Sequence, residues 1–491
     1  MYNKRVKKSS IVIFLALIVG IVLRSLPGLK APAGYFGYDF GFYLQAANNA
    51  QSVLNISGVL GGFNHPLFYV LKTFHINPEI FLNITLFLFS ILTIAIFILT
   101  LSQIKSRVAG KEVEFTSTGL SAYSLRKSEN SLAVFGAILL AASLPQAELY
   151  YTFLWKNIAA LPAFAYGLFL TGRMLLQERT RRDWVVLGCC MLWLLVTHRT
   201  SAIIFFLTVG LCLFFYQLKH KLWKFIAIEA MLVGLGAVVF WDRIWMTATN
   251  LIYNNNYYVR EGIFLNAHSL VYIFWLPALL ALFYIISNLR TFKNLKPHAV
   301  WGVLLVLTLG WYLFKLPFYN RILVFFDLAL VFYAVLGLAK LFSFRNSFLR
   351  YGVVPLVCIV AVVQAGWFVL QKEPIVTTEQ VAEIQEFTNP DTRALPGLNV
   401  SDWPTILVVS ADDASIVWGY AQQTHVKAPG LFGDTKTYEE WKDFWADKNQ
   451  KQFLGTYQRP LFLYQRSYHI SGEASPCLQQ ITQNFYEYTC K

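Results

Sequence analysis

Long apolar runs recur along most of this chain, and they constrain its fold more than any other feature. Each run has about 17–25 residues, the length that crosses the hydrocarbon core of a bilayer as a helix. The chain is 56% hydrophobic and only 14% charged, whereas soluble domains average about 25% charged residues. The sequence therefore predicts a polytopic α-helical membrane protein.

About eleven spans are predicted, each boundary being good to about 2–4 residues. They are 9–25, 80–101, 131–145, 157–172, 184–198, 200–216, 223–241, 269–288, 298–315, 318–339 and 351–370. The first span follows four basic residues, and no small-residue cleavage site comes after it. We therefore expect a retained signal-anchor helix.

Lysine and arginine concentrate in alternate connections between these spans. The basic connections are 1–8, 102–130, 173–183, 217–222, 289–297 and 340–350. The positive-inside rule places them, and the N-terminus, in the cytoplasm. The net charge of +14 is then mainly a topology signal against membrane lipids, and no nucleic-acid partner is expected.

The composition changes after residue 370, which predicts a transmembrane domain over 1–370 and a second domain over 371–491. Strands are predicted at 406–409, near 426 and at 461–463, with helices at 414–422 and 437–449. This alternation indicates an α/β domain, and an odd number of spans makes it extracytoplasmic. That compartment permits disulfides, and the sequence leaves open whether Cys477 and Cys490 are bonded.

An outer loop over 26–79 is too long for a simple connector and contains Asp39 in the segment Gly37-Tyr38-Asp39-Phe40-Gly41. From Phe40 onward the pattern predicts an amphipathic helix lying on the membrane. A carboxylate at such a surface is a functional candidate. The alternative is a helix N-cap or a solvated loop carboxylate.

Further candidates stand in the outer connections. His65 opens the run His65-Pro66-Leu67-Phe68-Tyr69 and could contact a carboxylate or a sugar hydroxyl, or have no role beyond the interface. Glu148 could hold a divalent metal or orient an acceptor, and Lys156 could meet a phosphate. Alternatively, Glu148 and Lys156 pair with each other.

A tight turn at Thr197-His198-Arg199-Thr200 holds Arg199 at the outer interface, and Arg321 lies similarly at the start of a span. Arginine suits bidentate contact with phosphate, although an interfacial arginine is also a common anchor. Two arginines and Lys156 on one membrane face favour a phosphate site, with His198 as a further substrate-binding candidate.

Together these features resemble the GT-C superfamily of polytopic glycosyltransferases, in the branch of protein O-mannosyltransferases and lipid A aminoarabinose transferases. The likeness is carried by the early acid Asp39, the His65-Pro66 run into a helix, and Glu148 in a second outer loop. It implies that Asp39 is the general base and that Glu148 lies near a metal or the acceptor. Lys156, Arg199 and Arg321 become ligands of the donor phosphate.

The sequence departs from the family pattern at two positions. Phe40 stands where many relatives have a second acid, and one proline, Pro66, stands where many have two. Metal dependence is therefore left open, and no other cofactor is expected. The resemblance implies transfer of a sugar from a polyprenyl-phosphate donor to a glycan, lipid or protein acceptor at the outer face, with inversion.

Three other classes of protein compete with this interpretation. A transporter or flippase of a lipid-linked sugar would show inverted repeats and broken helices near the midplane, whereas the ionisable candidates lie at outer span ends. A ligase or polymerase of O-antigen type would use a late outer loop. A scaffold would need only one span for anchoring.

Overall fold

The computed structural model describes a large part of the chain, including every candidate site residue. The described residues are 14, 17–26, 39–50, 65–108, 134–151, 153–176, 180–219, 221, 231, 270–288, 299–316, 319–344, 346–371, 377–389, 403–422, 424–429 and 436–490. Apart from Met231, the predicted span at 223–241 lies outside them.

Helices dominate the part before residue 372. They are α1 (Leu17–Leu26), α2 (Phe40–Asn48), α3 (Pro66–Thr73), α4 (Pro78–Val108), α5 (134–141), α6 (Leu144–Tyr151), α7 (Trp155–Leu176), α8 (Arg181–Thr197), α9 (Arg199–Lys219), α10 (Leu270–Asn288), α11 (Ala299–Leu313), α12 (Tyr319–Ser343) and α13 (Val354–Gln371). A π-helical turn, Leu349–Val353, precedes α13.

Several of these helices are apolar enough to indicate a membrane protein. Within the described ranges, five are also long enough to cross a bilayer, namely those at Pro78–Leu101, Trp155–Leu175, Arg199–Leu218, Tyr319–Phe342 and Tyr351–Gln371. Shorter apolar stretches occur in α1, α10 and α11. The prediction of about eleven spans is therefore not confirmed.

The predicted span at 131–145 is wrong as a single helix. The chain leaves helix α5 after residue 141 and starts α6 at Leu144. Pro145 lacks the N–H that a continuous helix would use, so it favours the first turn of a new helix. All eight residues of α6 are buried, which places this short helix inside the protein and not across it.

Helix α12 forms the centre of the bundle. In its candidate span 83% of the residues are buried, against 22% in that of α13. Helices α10 and α11 pack along α12, and α13 exposes large apolar side chains such as Leu356, Val363 and Trp367. A bilayer would cover such side chains, so α13 belongs to the periphery of the bundle and α12 to its interior.

The C-terminal part is a small mixed sheet with helices, as the sequence predicted. Its elements are α14 (Thr378–Thr388), β1 (Thr405–Val408), α15 (Ala411–Tyr420), β2 (His425–Lys427), α16 (Tyr438–Trp445), α17 (Gln450–Leu454), β3 (Leu461–Tyr464), β4 (Leu478–Gln480) and β5 (Phe485–Tyr488). The strand order is β2-β1-β3-β5-β4. Strands β2 and β3 run parallel to β1, and β5 and β4 continue the sheet in antiparallel fashion.

Two details of this part were not predicted. Strands β4 and β5 lie in polar sequence without an apolar run. The helix expected over 437–449 ends earlier, as α16, and a separate short helix, α17, begins at Gln450. Between them lie Asp447 and Asn449, whose φ angles of 58° and 55° are left-handed, a conformation that ends a helix. Cys477 and Cys490 form a disulfide, which decides the question that the sequence left open.

Helix α15 docks the C-terminal part directly onto α2. A Cβ atom added at Gly419 would lie 2.4 Å from the Gly41 Cα, so the two backbones touch where only glycine fits. The Phe42 N–H donates to Ser415 Oγ at 3.0 Å. The helix predicted after Asp39 is thus confirmed, but it is enclosed between α15 and α4 instead of lying against lipid alone.

Candidate functional site

Asp39 occupies the N-cap position of α2, yet its side chain makes no capping hydrogen bond. The alternative that this carboxylate serves only as a helix cap is therefore not supported by the geometry. Burial raises the pKa of Asp39 to about 6, and the positive charge of Arg321 opposes that rise. The structure thus brings together two candidates that are far apart in sequence.

Tyr43 connects Asp39 with the start of α7. It lies one helical turn after Asp39, and its N–H donates to the Asp39 carbonyl at 3.2 Å. The Tyr43 side chain is under the influence of the Asp39 and Arg321 charges and is hydrogen-bonded to the backbone of Lys156. Burial, followed by the charge of Asp39, raises the pKa of Tyr43 far above its ordinary value, so the phenol stays protonated and can donate a hydrogen bond.

Lys156, Arg199 and Arg321 each stand in the first turn of a helix, namely α7, α9 and α12, and none of these first turns contains an acidic residue. The charge of Arg199 acts on Lys156, and the charges of Arg321 and Lys156 both act on His198. Helix N-termini carry partial positive charge and attract anions. The side chains and the helix ends therefore make one strongly positive locus beside Asp39.

His198 lies between α8 and α9 and is neutral in this setting. Its Nδ1 accepts the Ser201 N–H at 3.2 Å and lies 2.7 Å from Ser201 Oγ. Burial, followed by the charges of Arg321 and Lys156, lowers the pKa of His198 to about 3. With Nδ1 acting as acceptor, the ring proton resides on Nε2, which makes His198 a hydrogen-bond donor next to the cations.

His65 is fully buried and holds elements together. Its Nδ1 accepts the Leu67 N–H at 3.2 Å, which caps α3, and its Nε2 lies 3.1 Å from Thr197 Oγ1. The ring meets Trp155 and Trp193 edge-on, at centroid distances of 4.9 and 5.4 Å. Burial, followed by the charge of Lys156, lowers the pKa of His65 to about 3. Both nitrogens are engaged by the protein, so this geometry positions the start of α7 and the end of α8.

A tight turn at Phe153 sets the start of α7. Phe153, in the turn before α7, has a left-handed φ of 58°, and its ring packs against Phe40 at a centroid distance of 4.8 Å. The Trp155 Nε1–H donates to Thr85 Oγ1 at 2.8 Å. These contacts fix Lys156 beneath α2. They join segments that are distant in the sequence, so no local sequence pattern predicts them.

Glu148 lies on the buried helix α6 and is itself buried. Helix α6 packs against α12, α13 and α7. A role for Glu148 toward an acceptor, a metal or Lys156 stays a prediction. Among the residues that the structure describes, no group of three or more His, Cys, Asp or Glu side chains could hold a metal ion.

Sequence reasoning missed a second buried acid, Asp327 on α12. Asp327 Oδ2 accepts hydrogen bonds from Ser143 Oγ at 2.6 Å and from Gln146 Nε2 at 3.1 Å. The charge of Arg24 acts on this carboxylate, and Arg24 Nε donates to Ser90 Oγ at 3.0 Å. A lone Asp within an apolar span is a recognised signal of function. The sequence alone could therefore have identified Asp327 as a candidate.

Asp327 lies away from the span ends, where the other ionisable candidates were expected. It follows Arg321 by six residues, which places it about 9 Å deeper along α12. The ionisable residues of this chain therefore do not all lie at outer span ends.

Comparison of the sequence with protein-family models and with curated proteins finds no match.

Proposed function

We propose that this chain is a membrane glycosyltransferase of GT-C type, which moves a sugar from a polyprenyl-phosphate donor to an acceptor at the extracytoplasmic face. The observation that carries the proposal is the placement of Asp39 within the electrostatic reach of Arg321, with Lys156 and Arg199 in the same neighbourhood. A base beside a cluster of cations is what sugar transfer from a phosphate requires.

In the proposed reaction an acceptor hydroxyl attacks the anomeric carbon and passes its proton to the Asp39 carboxylate. A new glycosidic bond forms as the bond between the anomeric carbon and the phosphate oxygen breaks, and the electron pair leaves with the polyprenyl phosphate. Attack opposite the leaving group inverts the anomeric centre. With a pKa of about 6, Asp39 is mostly ionised at pH 7 and is a stronger base than an ordinary aspartate.

The cations stabilise the departing phosphate. Lys156, Arg199 and Arg321 lie at three helix N-termini, and positioned charges and dipoles aimed at developing negative charge lower the barrier without reorganisation. His198 and Tyr43 add neutral donors to the same locus. His65 acts by positioning, and Glu148 contacts the acceptor or a divalent metal.

Replacement of the proposed base tests the assignment. Asp39→Asn in the full-length purified protein should lower the release of lipid phosphate by about 10²–10⁴-fold, the range that a general base contributes. The assay offers a panel of polyprenyl-phosphate sugars and measures released polyprenyl phosphate. Asp443→Asn is the matched control because Asp443 is an exposed acid of α16 and should leave the rate unchanged. Wild-type turnover by Asp39→Asn would remove Asp39 from the mechanism.

A transporter or flippase of a lipid-linked sugar is the second candidate, because Asp327 and Arg24 are buried together in the bundle. Intramembrane ionisable residues mark substrate or ion pathways. Reconstituted vesicles discriminate the two functions: a transporter moves a labelled lipid-linked sugar across the bilayer intact, whereas a transferase cleaves it. Transport without lipid-phosphate release, lost in Asp327→Asn, would favour the second candidate.

A further inference from the structure

A cavity of about 350 Å³ opens at the edge of the C-terminal sheet, beside the edge strand β2. Its lining residues are Thr405, His425, Lys427, Lys436, Thr456, Tyr457 and Gln458. This volume lies at the lower end of the range for small-molecule pockets. The cavity is suited to a ligand the size of a single sugar.

Strand geometry explains why these side chains converge. His425 and Lys427 are two residues apart on β2 and so share one face of the sheet. Thr405 is paired with His425 in the β1–β2 register, which puts it on that face too. Val426, between them, is buried on the opposite face. Three polar side chains from two adjacent strands therefore form one wall of the cavity.

The sheet separates this cavity from the Asp39 neighbourhood. Leu407, on the cavity side, packs with Trp441 and Phe453 of α16 and α17. Ile406, Val408 and Val426, on the other side, join the core that includes residues of α2. The cavity is thus a different site, and its function does not depend on the proposed sugar transfer.

The chemistry of the lining fits an anion that carries hydroxyl groups. Lys427 and Lys436 bring two positive charges, and Lys436 is positioned by Glu440 at 3.1 Å and by the Phe453 ring at 5.3 Å. Lysine binds phosphate as a point charge. The hydroxyl, amide and imidazole groups of the remaining lining residues donate and accept hydrogen bonds, as sugar hydroxyls require.

We propose that this pocket binds a sugar phosphate, either as a free monosaccharide or as the phosphorylated end of a glycan. The two lysines would hold the phosphate, and the neutral polar groups would hold the ring. The placement of the cavity on the sheet face turned away from α2 favours a water-soluble ligand over a lipid headgroup.

Titration calorimetry on the purified full-length protein in detergent tests this site, with glucose 6-phosphate, glucose and inorganic phosphate as probes. We expect glucose 6-phosphate to bind at least about 10-fold more tightly than either of the others. Lys427→Gln should weaken that binding by about 10-fold or more, since hydrogen bonds to charged groups are worth such factors. His425→Gln is a second, milder variant of the same wall. Lys448→Gln, an exposed lysine of the same domain, should bind like the wild type.

Several results would overturn the proposal. They are no saturable binding of glucose 6-phosphate, equal binding of inorganic phosphate, and unchanged binding in both Lys427→Gln and His425→Gln. Two further probes separate the sources of the ligand. Tighter binding of an oligosaccharide that ends in the same sugar phosphate would support a glycan end, and binding only to phosphatidylglycerol vesicles would contradict the proposal. All of these experiments measure binding and none measures sugar transfer. A negative result would therefore leave the assignment of Asp39 unchanged.

Discussion

Burial and neighbouring charge, more than residue type, set the chemistry of the candidate site. Asp39 looks like an ordinary loop carboxylate in the sequence, yet burial raises its pKa to about 6. Burial and the nearby charges of Arg321 and Lys156 lower the pKa of His198 to about 3. Their positions in the sequence were enough to predict these residues as candidates. Their protonation states, however, depend on contacts between segments far apart along the chain.

The pH dependence of turnover should therefore report Asp39. We expect kcat/KM to fall as the pH drops through about 6, because the proposed base, Asp39, becomes protonated. Arg321→Gln removes the charge that opposes the rise in the pKa of Asp39. The pKa of Asp39 should therefore rise further, and the acidic limb should move to higher pH. Rate–pH profiles of both proteins measure this shift. An unmoved or lowered limb in Arg321→Gln would mean that the two side chains are not electrostatic neighbours.

His198 should affect the rate without affecting this limb. With a pKa of about 3 it stays neutral between pH 5 and 8, so it contributes a donor and not a titration. His198→Gln should lower turnover by about 3–30-fold, the loss expected for one hydrogen bond near a charge. The profile of His198→Gln should keep the acidic limb of the wild type, and a displaced limb would assign the titration to the histidine.

At the element scale, the sequence predicted what local patterns encode. Apolar runs predicted the helices that became α4, α7, α9 and α12. The strands β1 and β3 stood out as short apolar segments, and a short strand was expected near Val426, where β2 lies. The sequence could not predict that α15 would pack on α2. The contact between Gly41 and Gly419 is a property of two surfaces and not of either segment alone.

Enlarging one of these glycines should separate the two helices. A side chain at position 419 would start 2.4 Å from the Gly41 Cα, and a backbone atom cannot move aside as a flexible side chain would. Gly419→Leu should destabilise the docked state by about 3 kcal/mol, the upper end of typical overpacking costs, and should reduce turnover because α2 carries Asp39. Limited proteolysis and thermal unfolding monitor the docking.

Gly366→Leu provides the control for this substitution. Gly366 also lies in a helix, α13, and a Cβ there would meet nothing within 4 Å. The unfolding temperature and protease resistance of the Gly366→Leu protein should match those of the wild type. Equal behaviour of the two leucine variants would show that the contact between α2 and α15 does not hold the C-terminal part in place.

At the scale of the whole molecule, the sequence predicted the class of protein better than its count of spans. Hydropathy cannot distinguish a helix that crosses the bilayer from one that is buried beside it, and the broken segment at α5 and α6 shows this confusion. Orientation rests on the positive-inside rule alone, and the proposed reaction needs Asp39 and the C-terminal part on the same, extracytoplasmic face.

Cysteine labelling in intact cells tests that orientation. In a background in which the four free cysteines, Cys189, Cys190, Cys212 and Cys358, are replaced by serine, single cysteines are introduced as Lys448→Cys and Arg182→Cys. Lys448 is an exposed residue of the C-terminal part, and Arg182 is an exposed residue at the start of α8, in a connection that the charge pattern places inside.

A membrane-impermeant maleimide should then label Lys448→Cys in intact cells and Arg182→Cys only after permeabilisation. The physical reason is that lysine- and arginine-rich connections are retained on the cytoplasmic side during insertion, and α7 and α8 are joined by such a connection. The reverse pattern would place the C-terminal part, and the Asp39 neighbourhood docked beneath it, in the cytoplasm. A lipid-linked donor presented on the outer leaflet could not reach it there, so the reversed topology would contradict transfer at the outer face even if both protein variants were stable.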